Sequence, residues 1–198
     1  MILNPDFLPT LVLILVMCSW FAFVAVFLFR KKPKQAPERK TDRDSIVGVV
    51  LQGLSYALVC SVHRPSFPLN FRLSRTLEVA FAVSIATIAF GSVWIVMSAV
   101  RVLGKEWSVT ARLVEGHKLA TRGPYRFMRH PIYTGMLGML LATGLAISNW
   151  FSLLAAIVIF LIGTIIRVRS EERLLREEFG SQFEDYARRV AALLPGVY

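Results

Sequence analysis

The stretch that decides the fold is P-I-Y-T-G-M-L-G-M-L-L-A-T-G-L-A-I at 131–147, the tripeptide S-N-W at 148–150, and F-S-L-L-A-A-I-V-I-F-L-I-G-T-I-I at 151–166. Two uncharged runs of 17 and 16 residues flank a turn in which Asn149 and Trp150 suit a membrane–water interface. Each run makes a helix of about 25 Å, short for a hydrocarbon core of roughly 30 Å. The pair predicts a closely held helical hairpin. Pro131 fits the first helical position, where its missing N–H costs nothing. The amides that follow lack helical partners and carry the positive end of the helix dipole, which favours an anionic group there.

Outward in both directions the apolar runs give way to charge. Upstream, H-K-L-A-T-R-G-P-Y-R-F-M-R-H at 117–130 carries Lys118, Arg122, Arg126 and Arg129 besides His117 and His130. It is too polar to cross a bilayer and reads as the floor of a site at the membrane surface. Downstream, R-V-R-S-E-E-R-L-L begins at Arg167. Arg167 and Glu171 are four apart and share a helix face, while Arg169 and Glu172 share another. Alone, such pairs are ordinary surface ion pairs worth at most about 1 kcal/mol each. The hairpin changes their meaning, because it returns Arg167–Glu172 to the level of His130 and Tyr133. An Arg, two Glu, a His and two Tyr then converge on one volume. From Arg167 to about Val190 the pattern is that of an amphipathic helix, with Leu174, Leu175, Phe179 and Phe183 on its apolar face and Gly180 set to bend or interrupt it.

The remaining chain is membrane-like throughout. Of 198 residues, 55% are hydrophobic, above the range usual for soluble domains. Phe7–Phe29 is an uncharged run of 23 residues, about 35 Å as a helix. It is followed at once by Arg30, Lys31 and Lys32, and no basic residue precedes it, so it reads as a retained anchor and not a cleaved leader. Residues 30–45 form a basic linker. Ile46–Val62 is a second span whose Gln52, Ser55 and Tyr56 face other helices, Gln52 as an interhelical hydrogen-bonding group or a functional one. Leu77–Val100 is a third, with Glu78 at its edge and Ser84, Gly91 and Ser92 offering close packing. The hairpin supplies the fourth and fifth.

Charge sets the expected orientation. Of 23 Lys and Arg, seven lie in 30–45, three in 63–76, seven in 101–130 and six beyond Ile166. Five spans with the N-terminus outside put 20 of these on the cytoplasmic side, as the positive-inside rule requires. The net charge of +10 is thereby assigned to topology and anionic lipid, and nucleic acid is not an expected partner. No obligatory protein partner is implied. Cys18 and Cys60 fall inside apolar runs and read as packing. No Gly-rich dinucleotide loop, no H-E-x-x-H and no paired cysteines occur, so neither a soluble cofactor fold nor a metal site is expected. The fold class is all-α: a polytopic bundle of about five transmembrane helices, ending in a cytoplasmic amphipathic helix. Residues 1–100 form the N-terminal membrane region. Residues 101–198 form the functional region, with a loop at 101–130, the hairpin at 131–166 and the C-terminal helix at 167–198.

Three elements in order carry a resemblance: L-A-T-R-G-P-Y-R-F-M-R-H-P-I-Y-T-G at 119–135, E-E-R-L-L-R-E-E-F-G at 171–180, and Y-A-R-R-V-A-A-L-L-P at 186–195. The sequence resembles the isoprenylcysteine carboxyl methyltransferase and phospholipid methyltransferase superfamily of integral membrane enzymes. The resemblance covers about the last 80 residues; the first 100 match only as membrane helices. It implies S-adenosylmethionine as methyl donor. Carried over by position, it implies cofactor contacts at His117, Lys118, Leu119, Ala120, Tyr125, His130, Pro131, Ile132, Tyr133 and Glu171, and it assigns Arg167 to the methyl acceptor. Arg112 is the candidate for a further upstream cofactor contact, where the spacing departs from the family's.

The chemistry of these side chains agrees with that division. The start of the fourth helix, with His130 at its cap, suits the cofactor carboxylate. Glu171 suits its ammonium or ribose hydroxyls. A carboxylate acceptor is already ionised near neutral pH and needs no base, only positioning and exclusion of water. Arg167 offers a bidentate grip for it. An amine acceptor must first lose a proton, and Glu172 and Tyr133 are available as bases. Arg167, Glu172 and Tyr133 are therefore the catalytic candidates. The preferred expectation is carboxyl methylation of an isoprenylcysteine-like lipophile entering sideways from the bilayer. A phospholipid amine N-methyltransferase, a sterol-reductase-like enzyme using NADPH and a non-catalytic membrane scaffold are the alternatives. The expected location is the inner membrane of a prokaryote or the endoplasmic reticulum of a eukaryote.

Overall fold

The computed structural model describes residues 7–29, 38–41, 45–63, 74–104, 112–114 and 119–193. Helix α1 is Phe7–Leu28, strand β1 Glu38–Thr41, α2 Ser45–Ser61 and α3 Arg75–Leu103. Strand β2 (Arg112–Val114), a 3-10 turn at Gly123–Arg126, α4 (Pro131–Ile147), α5 (Trp150–Phe179) and α6 (Ser181–Ala187) follow. Helices α1, α3 and α5 are long and apolar enough to cross a membrane, while α2 and α4 are shorter apolar helices of 17 residues each. Among the described residues the result is a multi-pass helical bundle with one small two-stranded ribbon.

Local chemistry sets the helix ends. Ser74 caps α3, accepting from the Leu77 amide, and Arg75 bridges Glu78 at 3.2 Å. Asn149 caps α5, its Oδ1 accepting from the Ser152 amide at 2.9 Å, as an N-cap asparagine does. Ser148 donates to the Val62 carbonyl at 3.1 Å, tying this turn to the end of α2. At the other end of the bundle, β1 pairs antiparallel with β2. The α1–α2 and α3–α4 connections therefore share one end, which is also where α4 begins.

Helix α4 is the shared wall of two apolar cores. One joins α1, α3 and α4 through Val12, Val16, Ile85, Ala89, Val96 and Met139. The other joins α2, α4 and α5 through Val59, Leu140, Ala156 and Phe160. Polar groups lock the same seams: the Trp20 indole donates to Thr143 Oγ1 at 3.0 Å and the Tyr56 hydroxyl to the Met136 carbonyl at 2.6 Å.

Four features differ from the sequence reading. The helix of the fifth span does not stop at Ile166: α5 runs unbroken to Phe179, about 45 Å of helix. Its charged last four turns project beyond the apolar part, and only Gly180, with φ of 49°, ends it. The amphipathic face expected from Arg167 onward is thus the end of α5 together with α6, where Leu174 and Phe183 are buried. The hairpin legs also pack chiefly outside their own pair, α4 on α3 and α5 on α2. Small residues explain this. A Cβ on Gly138 would lie 2.1 Å from Ser92 Oγ, and one on Gly163 would lie 2.8 Å from the Gly48 carbonyl oxygen, so each helix approaches its neighbour where the glycine carries no side chain. On α3 it is Ser92 that serves this contact; Gly91 meets nothing and Ser84 is exposed. Cys18 and Cys60 likewise face outward from the bundle and do not pack inside it.

Candidate active site

The site lies at the end of the bundle where α4 begins and the charged part of α5 emerges. His130 is the N-cap residue of α4, with Pro131 in the first turn. Its ring bridges two acids, Nδ1 lying 3.3 Å from Glu171 Oε2 and Nε2 lying 3.2 Å from Glu172 Oε1. The Tyr133 hydroxyl, one turn along, donates to Glu171 Oε1. The Tyr133 and His130 rings stack with centroids 5.7 Å apart. Arg167 lays its guanidinium over the Tyr133 ring at 4.8 Å and brings Nη2 to 3.7 Å from Glu171 Oε1. His130, Tyr133, Arg167 and Glu172 are buried, whereas Glu171 keeps about a quarter of its side chain exposed. Glu171 is therefore the acid that can meet a ligand.

Burial by itself would lower the His130 pKa, but hydrogen bonds to Glu171 and Glu172 and their charges outweigh it and raise the value above the ordinary range. Burial pulls Glu172 the other way, and His130 followed by Arg129 overcomes it, holding the carboxyl at about 2. Glu171 is likewise lowered, because His130 and Arg167 more than offset its desolvation. Tyr125 is pushed well up by burial, then by the charges of Glu171 and Tyr186, which puts its phenol within electrostatic reach of the same cluster.

A strap from the C-terminal segment closes the site. The Arg129 and His130 amides donate to the Ala191 and Ala192 carbonyls at 2.8 and 2.9 Å, and Thr134 Oγ1 donates to the Leu193 carbonyl at 2.7 Å. Tyr186 donates to the Tyr125 carbonyl at 2.7 Å. The strap engages amides that precede the helix; of those that follow Pro131, expected to receive a cofactor carboxylate, the Tyr133 and Thr134 amides donate to the His130 carbonyl at 3.1 and 3.3 Å. Arg129, which the sequence reading passed over, holds this strap: Nε donates to Glu172 Oε1 at 2.8 Å and Nη1 to the carbonyls of Ala187 and Val190. Its signal was its place immediately before His130.

The structure brings Tyr125, His130, Tyr133, Arg167, Glu171 and Glu172 to one end of the bundle. Glu172, expected as a base, is clamped by Arg129, His130 and Arg176. Ile132 packs into the core shared by α1, α3 and α4, because two residues of helix turn it away from the His130–Tyr133 face. Pro131 is buried in the first turn. Leu119 and Ala120 are half-buried. Leu119 lines a surface cleft of about 500 Å³ with Arg126, Gln182, Tyr186 and Arg189. His117 and Lys118 lie outside the described residues, and Arg112 is placed only as backbone of β2.

Compared with known proteins, the chain matches the phospholipid methyltransferase family over residues 79–182. Protein-S-isoprenylcysteine O-methyltransferase B of Arabidopsis thaliana is 37% identical over 89 residues, 45% of this chain and 45% of that protein. A probable protein-S-isoprenylcysteine O-methyltransferase of Oryza sativa subsp. indica is 39% identical over 79 residues, 40% of this chain and 41% of its own length. The protein-S-isoprenylcysteine O-methyltransferase of Schizosaccharomyces pombe is 30% identical over 148 residues, 72% of this chain and 60% of that one. The chain thus spans less than half the length of these two plant relatives. The family match runs from the first turns of α3 into α6 and encloses the whole charged cluster, and on that span the chain belongs to the phospholipid methyltransferase family.

Proposed function

We propose that the protein transfers a methyl group from S-adenosylmethionine to the carboxylate of a lipophilic, isoprenylcysteine-like acceptor at the cytoplasmic membrane surface. The observation that carries this reading is the Arg167 guanidinium held over Tyr133 beside Glu171, at the point where the bundle emerges from its apolar part. The donor set fits the cofactor: Glu171 offers a partly exposed carboxylate to an ammonium or ribose hydroxyls, and Leu119 and Ala120 offer half-buried apolar contact. S-adenosylmethionine, when bound, supplies an electrophilic methyl on a cationic sulfur. Arg167 grips the acceptor carboxylate, which is ionised near neutral pH and needs no base. Tyr133 and His130 keep Glu171 oriented, and the 187–193 strap excludes water from the cluster.

The state of the acids favours a carboxylate over an amine. Glu172 is held at about 2 under Arg129 and His130, a poor base for an ammonium. The Tyr133 hydroxyl already donates its hydrogen bond to Glu171. The relatives named as protein-S-isoprenylcysteine O-methyltransferases support the same acceptor class. The test is purified Arg167→Ala with labelled S-adenosylmethionine and a prenylcysteine analogue. Methyl transfer should vanish while cofactor binding, read by calorimetry, persists. Lost cofactor affinity with normal turnover at saturation refutes the assignment.

A further inference from the structure

We infer that Gln52 of α2 is a positioning residue that sets the acceptor specificity of the site by fixing the Arg167 guanidinium. The inference rests on the acceptor role proposed for Arg167. Gln52 sits midway along an apolar helix and is buried, with 2% of its surface exposed. A primary amide there is costly unless both ends are satisfied. Both are: Nε2 donates to Thr164 Oγ1 at 2.9 Å, and Oε1 accepts from Arg167 Nη1 at 3.0 Å. The orientation of the amide is dictated, because a guanidinium has donors only and must meet the oxygen.

The same face of α2 seats the stem of Arg167. Gly48, one turn before Gln52, has no side chain, and a Cβ built there would lie 2.4 Å from Arg167 Cγ and 2.5 Å from the Gly163 carbonyl oxygen. Gly48 and Gln52 thus form a seat in two parts, a gap for the arginine stem and an acceptor for its head. With Nη1 taken by Gln52 and the ring of Tyr133 against one face, the guanidinium has a single orientation, its Nη2 edge toward Glu171. A long side chain held this way loses little freedom on gripping a carboxylate. Residues 48 and 52 lie outside the family-matched span of 79–182. The acceptor-directed geometry is therefore supplied in part by a helix that the matched segment does not contain.

The experiment measures acceptor kcat/KM, S-adenosylmethionine Kd and melting temperature for Gln52→Leu, Gln52→Glu, Thr164→Val and Arg167→Ala. Gln52→Leu should lower acceptor kcat/KM by about 10–100-fold, as expected for a lost hydrogen bond to a charged group, with the cofactor Kd changed less than about twofold. Gln52→Glu keeps an acceptor oxygen and should stay within about threefold of the parent, with Thr164→Val between the two. Equal losses in Gln52→Leu and Gln52→Glu overturn the inference. So does a loss matched by the same loss of cofactor affinity, or a normal Gln52→Leu beside an inactive Arg167→Ala. If Arg167→Ala itself keeps acceptor turnover, the parent reading fails first, whatever Gln52 does.

Discussion

Replacing Glu172 by Gln separates a brace from a base. The substitution conserves volume and removes only the charge that Arg129, His130 and Arg176 share. Two routes give its magnitude. The carboxyl is held at about 2 against an ordinary 4.5, which at 1.36 kcal/mol per unit is about 3 kcal/mol. Removing one partner from a buried ion pair costs roughly 3–5 kcal/mol. The two agree at about 3–5 kcal/mol, and for a chain of this size they correspond to a fall of roughly 6–20 °C in melting temperature. Arg129 would then lose its anchor, and with it the grip on the Ala187 and Val190 carbonyls. The assay is a thermal melt of purified protein in detergent, paired with amide hydrogen exchange on residues 187–193, whose protection should drop. The sign with pH follows from a lowered acid: the contribution is whole above about 4.5 and is lost as pH falls through about 2. The Gln variant should lack that acid limb. A melting temperature within about 2 °C of the parent, with unchanged exchange in the strap, refutes the bracing role. Lost turnover with unchanged melting would restore Glu172 as a base.

His130 works with the opposite sign. Its pKa is raised from 6.5, so its stabilisation is complete below that value and is lost as pH climbs through the raised one; a melt-versus-pH series should show this decline in the parent and not in His130→Gln. Glu171→Ala should raise the S-adenosylmethionine KM with less effect on acceptor KM, and steady-state kinetics showing an unchanged cofactor KM would move Glu171 out of the site. Gly48→Ala places a methyl against both Arg167 Cγ and the Gly163 backbone; it should cost about 1–3 kcal/mol in a detergent melt and reduce acceptor kcat/KM, while normal activity would mean that α2 does not seat the arginine.

Much of the architecture is carried by composition and local pattern. Apolar run lengths placed α1 to α4 within a few residues, since an uncharged helix of spanning length has few other stable environments. Pro131 at the first turn of α4 and Asn149 at the cap of α5 follow from capping chemistry that acts over three or four residues. The meeting of His130, Tyr133 and Arg167–Glu172 was legible too, because a hairpin returns its second leg to the level of its first.

What tertiary structure alone decided is which partner each group takes. The charge at Arg167 looked like the end of a span, yet α5 continues, and Arg167 meets Gln52, Tyr133 and Glu171 inside the bundle. Glu172 reads as a base along the chain and is clamped in the fold, because Arg129, 43 residues before it, reaches its carboxylate while also holding the 187–193 strap, and no local pattern encodes that meeting. Gly48 and Gly163 are ordinary small residues until the backbones of α2 and α5 cross there. Periodicity and capping act within a few turns and can be read along the chain. The pairing of buried charges depends on contacts between distant segments, and only the folded bundle specifies them.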